Sequence, residues 1–310
     1  MKDWLSKTYD GTNLGLDGFH RGKVRNSYVV NDNRIMVVTD RVSVFDRVVG
    51  LVPFKGQVLN ALSCWWFRIL ESHAPGMTHF RWKIDPAVGE FQQCKPIKVE
   101  MIVRGYLTGS AWRHYETGGR ELSGVKLPDG LTKNAKFPDP IITPTTKAED
   151  GEHDAPISAK EILEQGLATS EQYAEMTNIA LQAFDIGVEV AERNGLILVD
   201  TKYEMGLDKF GLVTLIDEAH TSDSSRYWHK TSYKQDPESP RPLDKDFVRN
   251  WFAERGFMGD GPAPEMTDEF RIEAAKRYFE LYETLTGLKF EPDLQDPEER
   301  IRQSLKKAGY

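Results

Sequence analysis

Apolar and charged residues alternate most regularly between residues 196 and 218, in the segment LILVDTKYEMGLDKFGLVTLIDE. Two apolar runs flank a stretch rich in glycine and charge, a composition that predicts a β-hairpin. A tight turn at Asp208 and Lys209 fits this segment, and it pairs Leu207 with Phe210 across the two strands. We take this hairpin as the element around which the rest of the chain is organised.

Charged residues recur at every second position of the first predicted strand, as Asp200, Lys202 and Glu204. A strand directs alternate side chains to opposite faces, so these three share one face. The other face carries Val199, Tyr203 and Met205. In the register given above, Asp217 from the second strand joins the charged face. Mg²⁺ prefers carboxylate oxygens together with substrate phosphates, so this face predicts a magnesium–phosphate site.

A charged, solvent-exposed hairpin face is the alternative interpretation. We favour the site, because the apolar runs LILV and LVTLI predict buried strands. A carboxylate at the end of a buried strand is costly unless it has a partner.

The apolar pattern predicts several further elements. Two strands after Phe19 are joined by a turn at Asn31, Asp32 and Asn33. Capping-box pairs mark helix starts at Ser158 and Thr169, and residues 291–310 predict a polar surface helix. The remaining elements are a helix over 56–72 with a core stripe of Val58, Leu62, Trp65, Trp66 and Ile69, a strand followed by a helix within 95–112, a long helix that Gly195 ends, and an amphipathic helix with Phe270, Ala274, Tyr278, Leu281 and Leu285 on one face.

Residues 124–157 are the least regular part of the chain, because prolines at 128, 138, 140, 144 and 156 exclude long helices. Segments of this length are uncommon in compact domains unless they form lids or binding loops. Lys147, His153 and Asp154 lie within it. His153 is either a base or an exposed side chain, and its sequence context favours the second interpretation.

Four short motifs combine cations with small or hydroxylated residues and are candidate anion sites. They are Gly22, Lys23, Val24 and Arg25 at the start of a strand, Arg104 with Ser110, the serines Ser222, Ser224 and Ser225 with Arg226, and the helical neighbours Lys245 and Arg249. Glycine lets the backbone approach a phosphate, and Lys and Arg supply charge. Each motif alone is equally compatible with an ordinary turn, helix cap or surface helix.

Composition restricts the class of protein. With 310 residues the chain is long enough for two domains, and 39% hydrophobic and 28% charged residues are typical of a globular protein. No apolar run approaches the roughly 18 residues that span a bilayer, and the amino terminus lacks a signal-peptide core, so we expect a cytoplasmic protein without a membrane partner. The net charge of −8 argues against general nucleic-acid binding. Anionic ligands therefore require local clusters of Arg and Lys.

Cys64 and Cys94 are the two cysteines of the chain, and neither lies in a C-x-x-C motif. Two such residues cannot form a disulfide framework, so we expect both to be reduced packing residues. We nominate neither for covalent catalysis.

Seven sequence blocks, in order and spanning most of residues 20–250, resemble the phosphoribosylaminoimidazole-succinocarboxamide synthase (SAICAR synthetase) family. They are GKVRNSY at 22–28, TDRVSVFD at 39–46, VEMIVRGYLTGSAW at 99–112, TPTTKAEDGEHD at 143–154, LVDTKYEMG at 198–206, LIDEAHTSDSSRYW at 215–228 and LDKDFVR at 243–249. Members of this family are ATP-dependent ligases of purine biosynthesis. The resemblance implies three small-molecule substrates: ATP, L-aspartate and a carboxylated aminoimidazole ribonucleotide.

The resemblance also implies an α+β fold with two lobes. Residues 1–104 would form a small, β-rich, ATP-binding lobe similar to that of protein kinases. Residues 105–310 would form a larger ATP-grasp-like lobe for substrate and metal.

Roles for individual residues follow from the resemblance alone. ATP would place its phosphates near Gly22, Lys23, Val24 and Arg25 and its adenine along the strand with Lys98, Glu100 and Met101. Glu204 and Asp217 would hold Mg²⁺. The ribonucleotide phosphate would lie near Arg104, Ser110, Ser224 and Arg226, while Lys202, Lys245 and Arg249 would meet carboxylates of the substrates. Asp154 and Asp200 would contact the aminoimidazole amine. The resemblance thus implies charge neutralisation and alignment as the main catalytic effects.

Two rival functions fit parts of the pattern. A small-molecule kinase would use the same ATP cleft, although the chain lacks H-R-D-x-x-x-x-N and D-F-G motifs. A non-catalytic nucleotide-binding module would need no turnover at all. Release of ADP and phosphate only when both the ribonucleotide and aspartate are present distinguishes the ligase from either rival.

Overall fold

The computed structural model describes residues 2–147, 154–243 and 245–310. Its strands are β1 (His20–Arg21), β2 (Arg25–Val30), β3 (Asn33–Val38), β4 (Arg41–Val44), β5 (Arg47–Leu51), β6 (Phe80–Asp85), β7 (Val88–Gln92), β8 (Lys95–Tyr106), β9 (Glu121–Leu122), β10 (Val125–Lys126), β11 (Lys136–Ile142), β12 (Thr145–Thr146), β13 (Leu196–Leu207), β14 (Val213–Ile216) and β15 (Ser225–His229). Its helices are α1 (Lys2–Leu5), α2 (Lys55–His73), α3 (Gly109–Glu116), α4 (Ala159–Glu164), α5 (Ser170–Arg193), α6 (Lys230–Gln235), α7 (Asp246–Ala253), α8 (Asp268–Thr286) and α9 (Pro297–Lys307).

A five-stranded antiparallel sheet in the order β1-β2-β3-β7-β6 forms the first half of the fold. The predicted turn between its central strands is confirmed, since Val30 pairs with Asn33. Asn31 takes a left-handed conformation with φ 54°, which asparagine tolerates better than most residues. The Gly22 motif lies in the short connection between β1 and β2, so this sheet holds it at one end.

The second sheet is built on the long antiparallel pair of β8 and β13, which have 12 residues each. Strands β11 and β12 pair with the free edge of β8, and β14 and β15 pair with that of β13. The predicted domain boundary between residues 104 and 105 falls inside β8. Helix α5 packs on this sheet and buries Met176, Ala180 and Ala183 against it.

The predicted register of the β13–β14 hairpin is wrong. Leu207 pairs with Val213 rather than with Phe210, so a five-residue loop replaces the two-residue turn. The side chain of Asp208 causes this, because its Oδ1 accepts hydrogen bonds from the backbone N–H groups of Phe210 and Leu212, both at 2.8 Å. Phe210 is consequently outside the strand and 76% exposed.

In the observed register a regular strand would point Asp217 toward the core, opposite Tyr203. Strand β14 ends at Ile216, however, and Asp217 has φ 70°. This left-handed residue turns the chain out of the ladder. Asp217 therefore lies on the charged face of β13 because its backbone is left-handed, and not because side chains alternate along a regular strand.

The prediction that Val199 shares a face with Tyr203 and Met205 is also wrong. Val199 packs in a separate cluster with Tyr106 and Trp228, whereas Tyr203 and Met205 belong to the large core beneath α5. A register shift between Leu198 and Asp200 in the pairing with β15 interrupts the alternation at this point.

Most predicted helices are confirmed. The structure has the helix expected over 56–72 as α2, with Trp66 fully buried. Both capping boxes form, at Ser158 with Glu161 and at Thr169 with Gln172. Helix α8 buries the predicted stripe against α2 and the β4–β5 hairpin. None of the helices in the described ranges combines the length and apolar character needed to cross a membrane.

Helix α9 differs from the polar surface helix that we predicted. It covers the first sheet, with Ile301 and Leu305 in a cluster that includes Tyr28 and Ile35. Arg300 is 5% exposed and donates to Asp85 at 3.0 Å. The sequence pattern hid this role because an arginine, rather than an apolar residue, occupies the buried position.

Candidate functional site

A cleft of about 580 Å³ is lined by residues from both sheets. It collects ten of the predicted site residues: Gly22, Lys23, Val24, Arg25, Glu100, Asp154, Lys202, Glu204, Asp217 and Lys245. These residues come from the β1–β2 connection, the start of β2, β8, the segment before α4, β13, the end of β14 and the start of α7. The cleft therefore joins the predicted phosphate motif to the predicted metal ligands.

The guanidinium of Arg25 ties the glycine motif to the acids at the end of β14. Its Nη2 donates to Asp217 Oδ2 at 2.7 Å and to Glu218 Oε1 at 2.9 Å. The three side chains are between 10% and 23% exposed. Two residues 192 positions apart in the sequence are thus in direct contact inside the cleft.

Lys202 lies between two carboxylates on the charged face of β13. Its Nζ donates to Glu100 Oε1 at 2.5 Å and to Glu204 Oε1 at 3.1 Å. Lys147 donates to the other oxygen of Glu204. This four-residue network alternates acids and bases, so the face carries fixed charge without an isolated buried ion.

The two candidate metal ligands differ in pKa, although both are ionised at neutral pH. Burial would raise the pKa of Glu204, but Lys202 and Lys147 lower it to about 2. Burial raises the pKa of Asp217 to about 6, with Arg25 opposing and Glu204 adding to the shift. Burial would lower the pKa of Lys202, but Glu204 and Glu100 raise it overall, so this side chain stays an ammonium at neutral pH. Lys202 is accordingly a fixed cation and not a base.

Within residues 2–147, 154–243 and 245–310, no group of three or more His, Cys, Asp or Glu side chains is arranged to hold a metal ion. Glu204 and Asp217 provide two carboxylates that line the same cleft and influence each other's charge. Two carboxylates suffice for Mg²⁺ when substrate phosphates and waters complete its octahedral shell. The donor set therefore fits magnesium bound together with a nucleotide better than a metal bound by protein alone.

A second charged cluster surrounds Asp200 at the other end of the same strand face. Asp200 Oδ2 accepts from Arg226 Nη1 at 2.7 Å and from Arg104 Nη1 at 3.3 Å. Arg226 also donates to Asp246 Oδ2 at 3.0 Å, and Arg249 donates to the same carboxylate. Since Asp200 and Glu204 are four residues apart on a strand, the two clusters lie roughly 13 Å from each other.

Helix α3 begins at this arginine cluster. Arg104 donates to Ser110 Oγ at 3.4 Å and to Thr143 Oγ1 at 2.9 Å. The guanidinium of Arg226 packs on Gly109, where an added Cβ would lie 2.8 Å from its Nη2. The residue at the N-cap is Thr108, so Ser110 is not the cap that the simpler interpretation required. Three arginines and a helix N-terminus converge here, a combination that favours a phosphate.

A third charged group lies at the floor of the cleft, below α7. Lys55 is fully buried and donates to Asp223 Oδ2 at 2.7 Å. Burial would raise the pKa of Asp223, but Lys55 and Lys245 lower it to about 2. Burial lowers the pKa of Lys245, and the neighbouring Arg249 and Lys55 lower it further. Lys245 is therefore a cleft lysine that gives up its proton more readily than a lysine in water.

Some predicted site residues lie away from the cleft. The side chain of Met101 is fully buried in the large core, because it points to the opposite face of β8 from Glu100. Lys98 is exposed on that strand. Ser225 and Arg226 belong to β15 and not to a loop, and Ser224 hydrogen-bonds its neighbours Thr221 and Ser225. His153 lies outside the described residues.

Several residues of these clusters were missing from the predicted site. They are Lys55, Lys147, Glu218, Asp223 and Asp246. Four of them lie next to predicted residues or in the same sequence blocks. The high density of charged residues within a block is therefore the feature of the sequence that could have identified them. Lys55 gave no such signal, because a lysine at the start of a helix is ordinarily exposed.

Comparison with known sequences identifies many similar proteins. The sequence model of the SAICAR synthetase family matches residues 18–262. A phosphoribosylaminoimidazole-succinocarboxamide synthase of Bacteroides thetaiotaomicron is 47% identical over 312 residues, with 97% of each chain covered. The enzyme of the same name from Legionella pneumophila strain Lens is 44% identical over 287 residues and covers 90% of this chain and 91% of its own.

Solved structures give the same result. A SAICAR synthase from Saccharomyces cerevisiae complexed with SAICAR superposes with a TM-score of 0.80 at 32% identity, covering 92% of this chain and all of the yeast chain. A type-2 SAICAR synthetase in complex with ADP has a TM-score of 0.70 at 26% identity, covering 88% of this chain and all of its own. The mixed α/β fold is thus the one found in these enzymes.

Proposed function

The chain belongs to the SAICAR synthetase family, the ATP-dependent ligases that join L-aspartate to the carboxylate of an aminoimidazole ribonucleotide in purine biosynthesis, and we propose which of its residues carry out each part of that reaction. The comparisons give no support to the kinase alternative. The proposal assigns ATP to the β1–β2 connection, the ribonucleotide phosphate to the arginine cluster around Asp200, and L-aspartate to the space near Lys202, Lys245 and Arg249. It also assigns the metal to Glu204 and Asp217.

ATP is bound with its phosphates on the β1–β2 connection. Gly22 allows close approach of the backbone, and Lys23 and Arg25 line the cleft beside it. The adenine lies farther along the cleft, toward Glu100 on β8, while Lys98 and Met101 contribute backbone rather than charge. A type-2 SAICAR synthetase bound to ADP supports the use of an adenine nucleotide by this fold.

Glu204 and Asp217 are assigned to Mg²⁺ on the chemistry of their oxygens. The ion, when bound, neutralises charge that develops on the transferred phosphoryl group. The protein's own part is to bring the two carboxylates together with Arg25 and Lys202, which hold them in place until the nucleotide arrives. Asp217 requires ionisation for this role, and its raised pKa of about 6 still leaves it ionised at neutral pH.

The ribonucleotide phosphate is assigned to the cluster of Arg104, Arg226 and Ser110. A dianionic phosphate there would add hydrogen bonds from forked donors that Asp200 already orients. Ser224 lies at the edge of this group. The distance of roughly 13 Å between the two ends of the strand face suits a ligand whose phosphate and carboxylate are separated by a ribose and an imidazole ring.

Aspartate is assigned to the space near Lys202, Lys245 and Arg249, whose charges match its carboxylates. Asp154 and Asp200 face the ring amine of the ribonucleotide in this arrangement. The ammonium of aspartate must lose a proton to give a free amine, because only the free amine can act as a nucleophile.

The chemistry proceeds by activation of a carboxylate. An oxygen of the ribonucleotide carboxylate attacks the γ-phosphorus of ATP, the bond to the bridging oxygen breaks, and ADP leaves. The amine nitrogen of aspartate then attacks the carbonyl carbon of the acyl phosphate, and phosphate departs with the electrons of the broken C–O bond. The amine loses its proton to a base. Alignment and charge neutralisation supply the catalysis, and no protein nucleophile is involved.

One observation carries this assignment most directly: Arg25, in the phosphate motif, bonds both Asp217 and Glu218 at the metal end of the hairpin. The two-lobed arrangement with a kinase-like first lobe and an ATP-grasp-like second lobe is part of the proposal. So is a cytoplasmic location, which the two free and buried cysteines favour.

Product analysis tests the proposed reaction. The purified chain should release ADP and phosphate in equal amounts only when the ribonucleotide, aspartate and ATP are all present. The Lys202→Met variant should lose at least about 100-fold in kcat, because a fixed cation is removed from the reacting carboxylate. Phosphate transfer to a hydroxyl acceptor without aspartate would contradict the ligase assignment, and full activity of Lys202→Met would contradict the role of that residue.

A further inference from the structure

Arg41 is a buried guanidinium directly beneath the β1–β2 connection, and none of the roles assigned above uses it. It is the first residue of β4 and only 2% exposed. Its nearest carboxylate is Asp10, at 3.7 Å from Nη1, and that carboxylate is shared with Arg21 on the exposed side. A buried cation usually forms a close ion pair with a carboxylate. The carboxylate nearest to Arg41 is 3.7 Å away and shared with Arg21, so the burial of this charge has another cause.

The donors of Arg41 go mainly to carbonyl oxygens of the phosphate motif. Its Nε donates to Lys23 O at 2.9 Å, and its Nη2 donates to Gly22 O at 3.0 Å and to Asn26 Oδ1 at 2.8 Å. Its Nη1 donates to Asp10 O. A forked group with several donors in one plane is suited to holding neighbouring carbonyls together.

The other two carbonyls of the motif are held as well. Val24 O accepts from the N–H of Thr39 at 3.0 Å and from Thr39 Oγ1 at 2.7 Å. Arg25 O accepts from the N–H of Gly22 at 2.8 Å. All four carbonyl dipoles of residues 22–25 are therefore engaged by donors of the chain.

This arrangement has an electrostatic consequence for an anion in the cleft. Carbonyl oxygens that faced the nucleotide would repel its phosphates. Carbonyls turned toward Arg41 leave the N–H groups of Lys23, Val24 and Arg25 for the ligand, while the N–H of Gly22 is engaged by Arg25 O. Successive N–H groups of a short loop form a recognised anion-binding concavity. Arg41 is only 2% exposed, so water screens its positive charge little. This charge adds to the positive potential that the loop presents to an anion.

Gly11 makes room for this anchor. It has φ 89°, and an added Cβ would lie 2.8 Å from Asn26 Nδ2 and 3.0 Å from Arg41 Nη1. A side chain at position 11 would both strain the backbone and displace the guanidinium. The amino-terminal segment before β1 thus closes the pocket in which Arg41 lies.

We infer that Arg41 is a positioning residue for nucleotide binding: it fixes the carbonyls of Gly22 and Lys23 away from the cleft, so that the backbone N–H groups of residues 23–25 donate to the phosphates of an adenine nucleotide. The inference rests on the proposed assignment of the phosphates to this motif. It predicts that substitution of Arg41 weakens binding of the nucleotide's phosphates and leaves binding of its adenosine part nearly unchanged.

Binding of MgADP and of adenosine, measured by isothermal titration calorimetry, tests this inference. Arg41→Lys keeps a positive charge but cannot hold several carbonyls at once. It should weaken MgADP about tenfold or more and adenosine less than about threefold, and it should raise KM for ATP more than KM for the ribonucleotide. Arg300→Lys is the matched control, since Arg300 is another buried arginine that lies outside the cleft.

Lys23→Met separates the inference from the assignment on which it rests. If both Lys23→Met and Arg41→Lys weaken MgADP selectively, the inference is supported. If Lys23→Met weakens MgADP and Arg41→Lys matches Arg300→Lys, the inference is overturned while the phosphate assignment stands. If neither variant changes MgADP affinity, the assignment of phosphates to this motif fails, and the inference fails with it.

Thr39→Val provides a second test that preserves side-chain shape. It removes the hydroxyl donor to Val24 O and leaves the backbone bond in place. Weaker binding of MgADP with unchanged adenosine would support the inference even where Arg41→Lys does not yield a folded chain. Unchanged binding of both ligands by Thr39→Val, together with Arg41→Lys binding both ligands as Arg300→Lys does, would overturn it.

Discussion

At the scale of single residues, Asp217 shows how one backbone conformation creates a site. A regular strand would bury this side chain in the core, but φ 70° directs it to Arg25 and the cleft. Non-glycine residues in this region cost free energy, and they persist where surrounding contacts compensate. Here the two bonds from Arg25 to Asp217 and Glu218 provide such contacts.

Asp200 is the residue on which the arginine cluster depends. It is 4% exposed and accepts from both Arg104 and Arg226. Asp200→Asn would leave two guanidinium groups without their shared carboxylate, and we expect it to lower the free energy of unfolding by about 3 kcal/mol. Urea denaturation measures this value.

A bound ribonucleotide should restore more stability to Asp200→Asn than to the wild type, because its phosphate would replace the missing negative charge. Asp129→Asn is the control, since Asp129 pairs with Arg120 at the surface and is 91% exposed. An exposed ion pair of this kind contributes little to the free energy of unfolding. Equal stability of Asp200→Asn and the wild type without ligand would contradict the proposed function of Asp200.

At the scale of elements, hydrophobic periodicity and capping predicted most of the longer helices. The stripe from Val58 to Ile69 is typical of a helix, and two capping boxes mark starts that the structure confirms. The hairpin register could not be predicted, because it depends on a side chain, Asp208, that hydrogen-bonds the backbone of its own loop. Both the two-residue turn and the longer loop satisfy the sequence pattern.

Helix α9 was misjudged for a different reason. Its buried face contains Arg300 beside Ile301, and the partner of Arg300 is Asp85, 215 residues away. A pattern that counts apolar residues cannot detect a buried ion pair of this kind. A long-range ion pair, together with the packing of Ile301 and Leu305, docks the helix on the first sheet.

Arg300→Met tests this interpretation of α9. The substitution leaves the Asp85 carboxylate buried without its cation, so the free energy of unfolding should fall by roughly 3–5 kcal/mol. Arg302→Met, on the same helix, removes an exposed pair with Glu298 and should cost less than about 1 kcal/mol. Urea unfolding curves distinguish the two variants. A similar small loss in both would mean that α9 is only a surface helix.

At the scale of the whole molecule, the cleft depends on contacts that no local pattern contains. Arg25 and Asp217 meet across 192 residues, and Lys55 meets Asp223 across 168. The sequence blocks contain most of the residues that line the cleft. Which block contacts which, and the core position of Met101, followed only from how the two sheets come together.

Buried histidines make the stability of the molecule dependent on pH. Burial lowers the pKa of His220 from 6.5 to about 3. Below pH 6.5, His220 therefore binds a proton in the unfolded chain but not in the folded chain. The contribution of His220 to the free energy of unfolding is present above pH 6.5 and is lost as the pH falls toward 3. Between pH 7 and pH 5 the loss amounts to about 2 kcal/mol.

Comparison with His220→Gln isolates this contribution. Buried acids such as Asp40, whose pKa burial raises to about 6, are common to both chains and cancel. The variant should have a lower free energy of unfolding than the wild type. The difference in free energy between the two chains should be about 2 kcal/mol smaller at pH 5 than at pH 7. Denaturation at the two pH values measures the difference. A deficit that does not change with pH would show that His220 titrates alike in the folded and unfolded chains.

Mn²⁺ binding in the presence of ADP probes the magnesium site that we propose for Glu204 and Asp217. Electron paramagnetic resonance should detect one Mn²⁺ per chain that Mg²⁺ displaces. Glu204→Gln and Asp217→Asn should each weaken this site about tenfold or more, because each removes a charged oxygen ligand. Glu164→Gln, at an exposed position on α4, should bind Mn²⁺ as the wild type does. Unchanged Mn²⁺ affinity in both cleft variants would contradict the account.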